Sequence, residues 1–177
     1  MSIAVSAMKN SKNEFVAIGQ NFFSLLAGEN LEERNRAREF QDELIRRLVR
    51  QKKLRVTIVV ADPLYEEQTS DLGYGFPQFH LHLTKSVAAL KALKNRASKV
   101  GVIGRLTVGT SRNVKTTSTV LSDPAQAGGV AYVTYTQLGS LTKDRAVVRV
   151  EKWKHPIHFA KLHNDYVCRC VKTLALL

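Results

Sequence analysis

The chain has 177 residues, 44% of them hydrophobic, and a formal charge of +12 at pH 7. That size and composition fit one globular domain and exclude wholesale disorder. No apolar run approaches the roughly 20 residues of a membrane span, and Met1 to Lys12 lacks the apolar core of a secretory signal.

Residues 1–13 are expected to be a flexible lead-in to a single domain over 14–177. Glu14 to Gln20 predicts a first strand. Asn21 can cap a short apolar turn, Phe22 to Leu26. Asn30 caps a long helix with Glu32 and Glu33 in its first turn, where carboxylates suit the dipole. Ala37, Phe40, Leu44, Ile45 and Leu48 form its apolar stripe, and Arg46, Arg47, Arg50, Lys52 and Lys53 crowd its far end. Leu54 to Ala61 is a β-branched run of the kind buried on both faces, stopped by Asp62-Pro63.

An acidic loop, 64–75, leads to a second long helix over about Pro77 to Ala97. Four β-rich segments follow: Val100 to Val108, Lys115 to Ser122, Val130 to Gln137 and Arg145 to Glu151. A helix from Pro156 closes the chain, with Phe159, Leu162, Tyr166 and Cys170 on one face. The order β-α-β-α-β-β-β-β-α predicts an α/β fold, a mixed β-sheet flanked by helices on both faces. Cys168 and Cys170 point to different sides of that helix, so no internal disulfide is expected. A cytoplasmic protein with reduced thiols fits best.

The charge is unevenly placed. Residues 1–84 hold 11 Lys/Arg and 11 Asp/Glu, whereas residues 85–177 hold 16 and 4. A segregated positive charge points to a polyanionic partner, with plain solubility as the competing explanation. Arg105, Arg112, Lys115, Arg145, Arg149, Lys152 and Lys154 decorate the strand-rich region. Trp153 stands between two lysines, where it could stack a nucleobase or lie partly buried under the last helix. His80 and His82 lack the i, i+3 or i, i+4 spacing of a helical metal pair, and no cofactor or metal motif is present.

The opening strand with Gly19-Gln20-Asn21, the Val56 to Pro63 strand, the long second helix, Asp123-Pro124, and Gly128-Gly129 before the Val130 to Tyr135 strand occur in an order that resembles one half of the phospholipase D superfamily. The resemblance implies a phospholipase D-like fold. The family's His-x-Lys-x-x-x-x-Asp signature, counted back from Asp123, meets Thr116 and Ser118 in place of His and Lys, so the resemblance implies a non-catalytic member. His158 and Lys161 have the wrong spacing for the signature. Catalytic relatives build one site from two halves, which implies a homodimer here.

The leading expectation is therefore a non-catalytic domain binding nucleic acid or another polyanion through its C-terminal half, in a sensing or regulatory role. A second expectation is a small-ligand module holding a nucleotide or phosphometabolite near Thr116, Ser118 and Asp123. A third is a divergent phosphodiesterase using His80, His82 or His155.

Overall fold

Seven strands form one open sheet in the order β6-β5-β4-β1-β2-β3-β7. The computed structural model describes residues 3–20, 22–64, 76–114, 117–135 and 146–177. Three parallel strands lie side by side: β1 (Glu14–Ile18), β2 (Arg55–Ala61) and β3 (Leu106–Ser111). Antiparallel β4 (Thr117–Ser122), β5 (Val130–Tyr135) and β6 (Val147–Glu151) extend the sheet from β1, and the short β7 (Ala175–Leu176) adds to β3.

Both parallel crossovers are helical. After the short α2 (Phe23–Leu26), α3 (Leu31–Arg50) connects β1 to β2, and α4 (Phe76–Lys99) connects β2 to β3. Asn30 Oδ1 accepts from the Glu33 amide at 2.9 Å, and Glu33 Oε2 accepts from the Glu29 amide at 2.8 Å. This reciprocal pair starts α3 at the expected place. The stripe Ala37, Phe40, Leu44 and Leu48 is buried. In β2, Val56, Ile58, Val59 and Val60 are all buried, each contributing about 1.5–3 kcal/mol of transfer free energy.

The expected lead-in is a helix instead. Residues Ile3–Asn10 form α1, with Ala7 and Met8 buried against the sheet. Ser11 Oγ ties its end to Ser122 Oγ at 2.9 Å. Eight residues with two buried side chains give no periodic stripe, so the helix owes its place to tertiary contact. The strand expected over Val100 to Val108 also begins later. Ile103–Arg105 is a 3-10 turn, and β3 runs on to Ser111.

The register places Phe15, Ala17, Ile58 and Val108 on one face; α1 packs on β1 and β4, and α4 on β2 and β3. The C-terminal helix is built of α5 (Pro156–Lys161), a wide π turn (Leu162–Val167) and α6 (Cys168–Lys172). It connects β6 at one edge to β7 at the other. Along it Tyr166 donates to the Thr117 carbonyl, the Cys170 thiol to the Asn113 carbonyl, and Thr173 Oγ1 pairs with Ser111 Oγ. Both cysteines are free. Among the described residues no helix is long and apolar enough to cross a membrane.

Gly109 lets the returning chain come close: a Cβ there would lie 2.4 Å from the Ala175 carbonyl oxygen and 2.6 Å from Leu174 Cδ1. Gly109→Ala should therefore cost about 1–3 kcal/mol in urea unfolding, because β7 and Leu174 must shift. An unchanged midpoint would show that the β3–β7 contact adds nothing to stability.

Candidate polyanion interface

In a parallel crossover unit the helix runs back against its strands. The C-termini of α3 and α4 therefore lie at the same end of the sheet as the N-termini of β1, β2 and β3. The antiparallel register brings the ends of β4 and β6 and the start of β5 to that end too: Ser122 pairs with Val130, and Val130 with Glu151. One pole of the molecule thus collects five stretches of chain: the approaches to β1, β2 and β3, the β4–β5 turn and the end of β6.

Asp123 is the staple of this pole. Its carboxylate accepts from three consecutive backbone amides, Lys12 (2.8 Å), Asn13 (2.6 Å) and Glu14 (2.8 Å). Its own amide donates to the Glu14 carbonyl at 2.8 Å. The residue takes φ 47°, in the left-handed region that Asp and Asn tolerate better than other side chains. The staple continues on both sides. Lys152 Nζ donates to the carbonyls of Pro124 (3.0 Å) and Ala125 (3.2 Å). The Arg55 amide donates to the Asn13 carbonyl. Arg47 donates to Ser11 O and Gln51 Oε1, and Arg105 Nη1 to Gln51 O at 2.7 Å.

On this frame stand exposed cations: Lys9, Lys12, Arg50, Lys52, Lys53, Arg55, Lys99 and Lys154. Among the described residues no carboxylate pairs with the first seven; Lys154 pairs with Glu151. Cations at helix C-termini complement the dipole, which accounts for Arg50 and Lys99. It does not account for Lys12, Lys52, Lys53, Arg55 or Lys154, which sit on turns and a strand start. From β6 to β3 the pole is about 24 Å wide at the usual strand spacing.

Glu151 organises the β6 end. Its carboxylate meets Lys154 Nζ at 2.9 Å and Arg149 Nη2 at 2.8 Å. The hydrogen bond from Lys154, with the nearby positive charges, holds the Glu151 carboxyl below an ordinary glutamate. Lys154 Nζ also lies 4.7 Å from the centre of the Trp153 ring. Trp153 is 67% exposed, so it is not buried under the last helix.

The residues singled out from the sequence divide. Arg105, Arg149, Lys152, Trp153 and Lys154 come to the basic pole or next to it, although Arg105 and Lys152 are spent largely on backbone carbonyls. Arg112 lies at the opposite pole, 3.4 Å from Asp62. Lys115, Thr116 and Arg145 lie outside the described residues. Ser118 sits at that opposite pole against Gly19, roughly 16 Å along β4 from Asp123. The ligand cleft expected to join Ser118 and Asp123 is therefore not assembled: they occupy opposite ends of one strand, and the Asp123 carboxylate is committed to amides.

His82 stacks on Phe23 at 3.9 Å, away from His155 and His158, whose rings meet edge-on at 6.4 Å. Among the described residues no three metal-binding side chains converge. Beside Lys99 and Lys154 from the second half of the chain, the basic pole also gathers Lys12, Lys52, Lys53 and Arg55 from the first. Their signal was present as the Arg46 to Arg55 cluster, cancelled in the half-chain sum by acidic residues elsewhere. No known protein family and no curated protein sequence matches the chain.

Asp123→Ala should lower unfolding free energy by about 2 kcal/mol, since hydrogen bonds to a charged acceptor are lost. Asp123→Asn should lose less, because it tolerates the backbone angle and keeps one acceptor. Equal behaviour of the two variants would contradict the staple.

Because the folded Glu151 carboxyl lies below an ordinary glutamate, its contribution to stability is complete above the ordinary glutamate range. The contribution is lost as the pH falls through the lowered value. A carboxyl-carbon NMR titration should show this low midpoint, and Lys154→Met should move it up. A midpoint indifferent to Lys154→Met would remove Lys154 as the cause.

Proposed function

We propose that this protein is a nucleic-acid-binding domain whose binding surface is the basic pole, in a sensing or regulatory role rather than a catalytic one. The observation that supports this most is the gathering of Lys12, Lys52, Lys53, Arg55 and Lys154 at one end of the sheet, where among the described residues only Lys154 of the five has a carboxylate partner, Glu151. Clustered cations on rigid backbone release counterions when they meet a phosphate chain, and contacts to phosphate carry no sequence preference. At about 3.4 Å per phosphate along a duplex strand, the pole offers room for about seven phosphates.

We further propose a degenerate, single-half phospholipase D-like fold, and with it a homodimer. The mixed sheet, its helical crossovers and the Asp-Pro strand ends support that reading of the fold. Thr116 and Ser118 in place of His and Lys support a role without phosphodiester cleavage.

The test is fluorescence anisotropy of labelled DNA and RNA over a salt series. Binding should weaken steeply with salt and leave the nucleic acid intact. The triple variant Lys52→Glu/Lys53→Glu/Arg55→Glu should weaken it at least about tenfold and flatten the salt slope by about 2–3. Arg112→Glu, at the other pole, should leave binding unchanged. A triple variant that binds like wild type, or an Arg112→Glu variant that fails to bind, would refute the assignment.

A further inference from the structure

Trp153 is the only tryptophan of the chain, and it is exposed on the turn that closes the β6 end of the pole. An indole left in water contributes little to a core, and tryptophan is among the residues enriched at interfaces. The turn that carries it is held firmly. The amides of Lys154 and His155 both donate to the Glu151 carbonyl, and the Lys152 amide donates to the Gly129 carbonyl. The Lys152 side chain is anchored on Pro124 and Ala125. Both flanking lysines are thus fixed, one to the β4–β5 turn and one to Glu151.

Lys154 covers one face of the indole, its Nζ 4.7 Å from the ring centre. A cation over a π-face is favourable and also occupies that side. With two thirds of its surface exposed, the ring remains accessible to solvent beside the basic pole.

Resting on the reading of the pole as a nucleic-acid surface, we infer that Trp153 is a stacking platform for one unpaired nucleobase, so that the site selects single-stranded over double-stranded nucleic acid. A paired base within a duplex offers no free face, whereas every unpaired base does, which makes the contact indifferent to sequence. Fixing the indole beforehand lowers the entropy lost when a base docks. The lysines and the aromatic divide the work: Lys12, Lys52, Lys53 and Arg55 follow the phosphates, and Trp153 distinguishes a strand with free bases from a generic polyanion.

The single tryptophan gives a direct readout. The full chain is titrated with dodecameric oligothymidylate, an abasic dodecamer of equal phosphate count, a duplex of equal length, and inorganic polyphosphate, with intrinsic fluorescence and competition against a labelled strand read together. The expected result is fluorescence quenching by oligothymidylate alone. It should also bind more tightly than the abasic strand by about tenfold, the loss expected for one stacked base. Trp153→Ala should remove that advantage and leave polyphosphate competition unchanged, and Trp153→Phe should keep most of it. Equal binding of all four polyanions with unquenched fluorescence would overturn the stacking site while sparing the polyanion surface. No competition by any of them would overturn both, and would leave the exposed indole as a contact for a protein partner.

Discussion

The carboxylate of Asp123 joins the two ends of the chain's logic. It caps the entry to β1 by accepting three consecutive amides, while its own residue ends β4 and opens the turn to β5. The parallel half of the sheet is built by local crossovers, and the antiparallel half by hairpin-like returns. The β1–β4 seam is where the halves meet, and no connection in sequence enforces it. A charged acceptor facing three donors makes that seam specific in register: a slip of one residue would leave amides without an acceptor and invert the faces of β4.

With the seam fixed, the distribution of charge follows from topology. Crossover helices that run against their strands must deliver their C-terminal basic residues to the strands' starting end. The antiparallel returns then deliver Lys152 to Lys154 to the same place. The acidic residues that balance the first half in sequence, among them Glu29, Glu32 and Glu33, lie at the beginning of α3 and so toward the other end. A chain that sums to zero over its first 84 residues can therefore present a strong dipole in space, because the sum is taken along the wrong coordinate.

The sequence makes the buried parts of this fold legible and leaves the exposed pattern obscure. The Asn30 cap, the stripe from Ala37 to Leu48 and the run from Val56 to Ala61 each carry their own local signal, and each element forms where that signal places it. Helix α1 carries none, since its burial depends on β4, over a hundred residues away. The same holds for β7, two residues long and defined only by the gap over Gly109. For the site, Lys152-Trp153-Lys154 was recognisable as a basic-aromatic cluster. Its neighbours Lys12, Lys52, Lys53 and Arg55 were not, because their adjacency is created by strand order. Asp123 drew attention for a chemical role and has an architectural one.

The contacts that define the basic pole span very different stretches of chain. Lys52 to Arg55 reach their places through a nearby crossover, but Lys12 and Asp123 are 111 residues apart, and a loop of that length closes late because its entropy must be spent before any bond forms. On loop entropy, the surface is expected among the later features to form during folding. A chain that has collapsed around β1, β2 and β3 alone carries much of the charge and lacks the frame that aligns it. Under the proposed function, a partner that needs the whole row of cations together would distinguish the finished molecule from its compact precursors, and each such encounter would draw the population toward the native state.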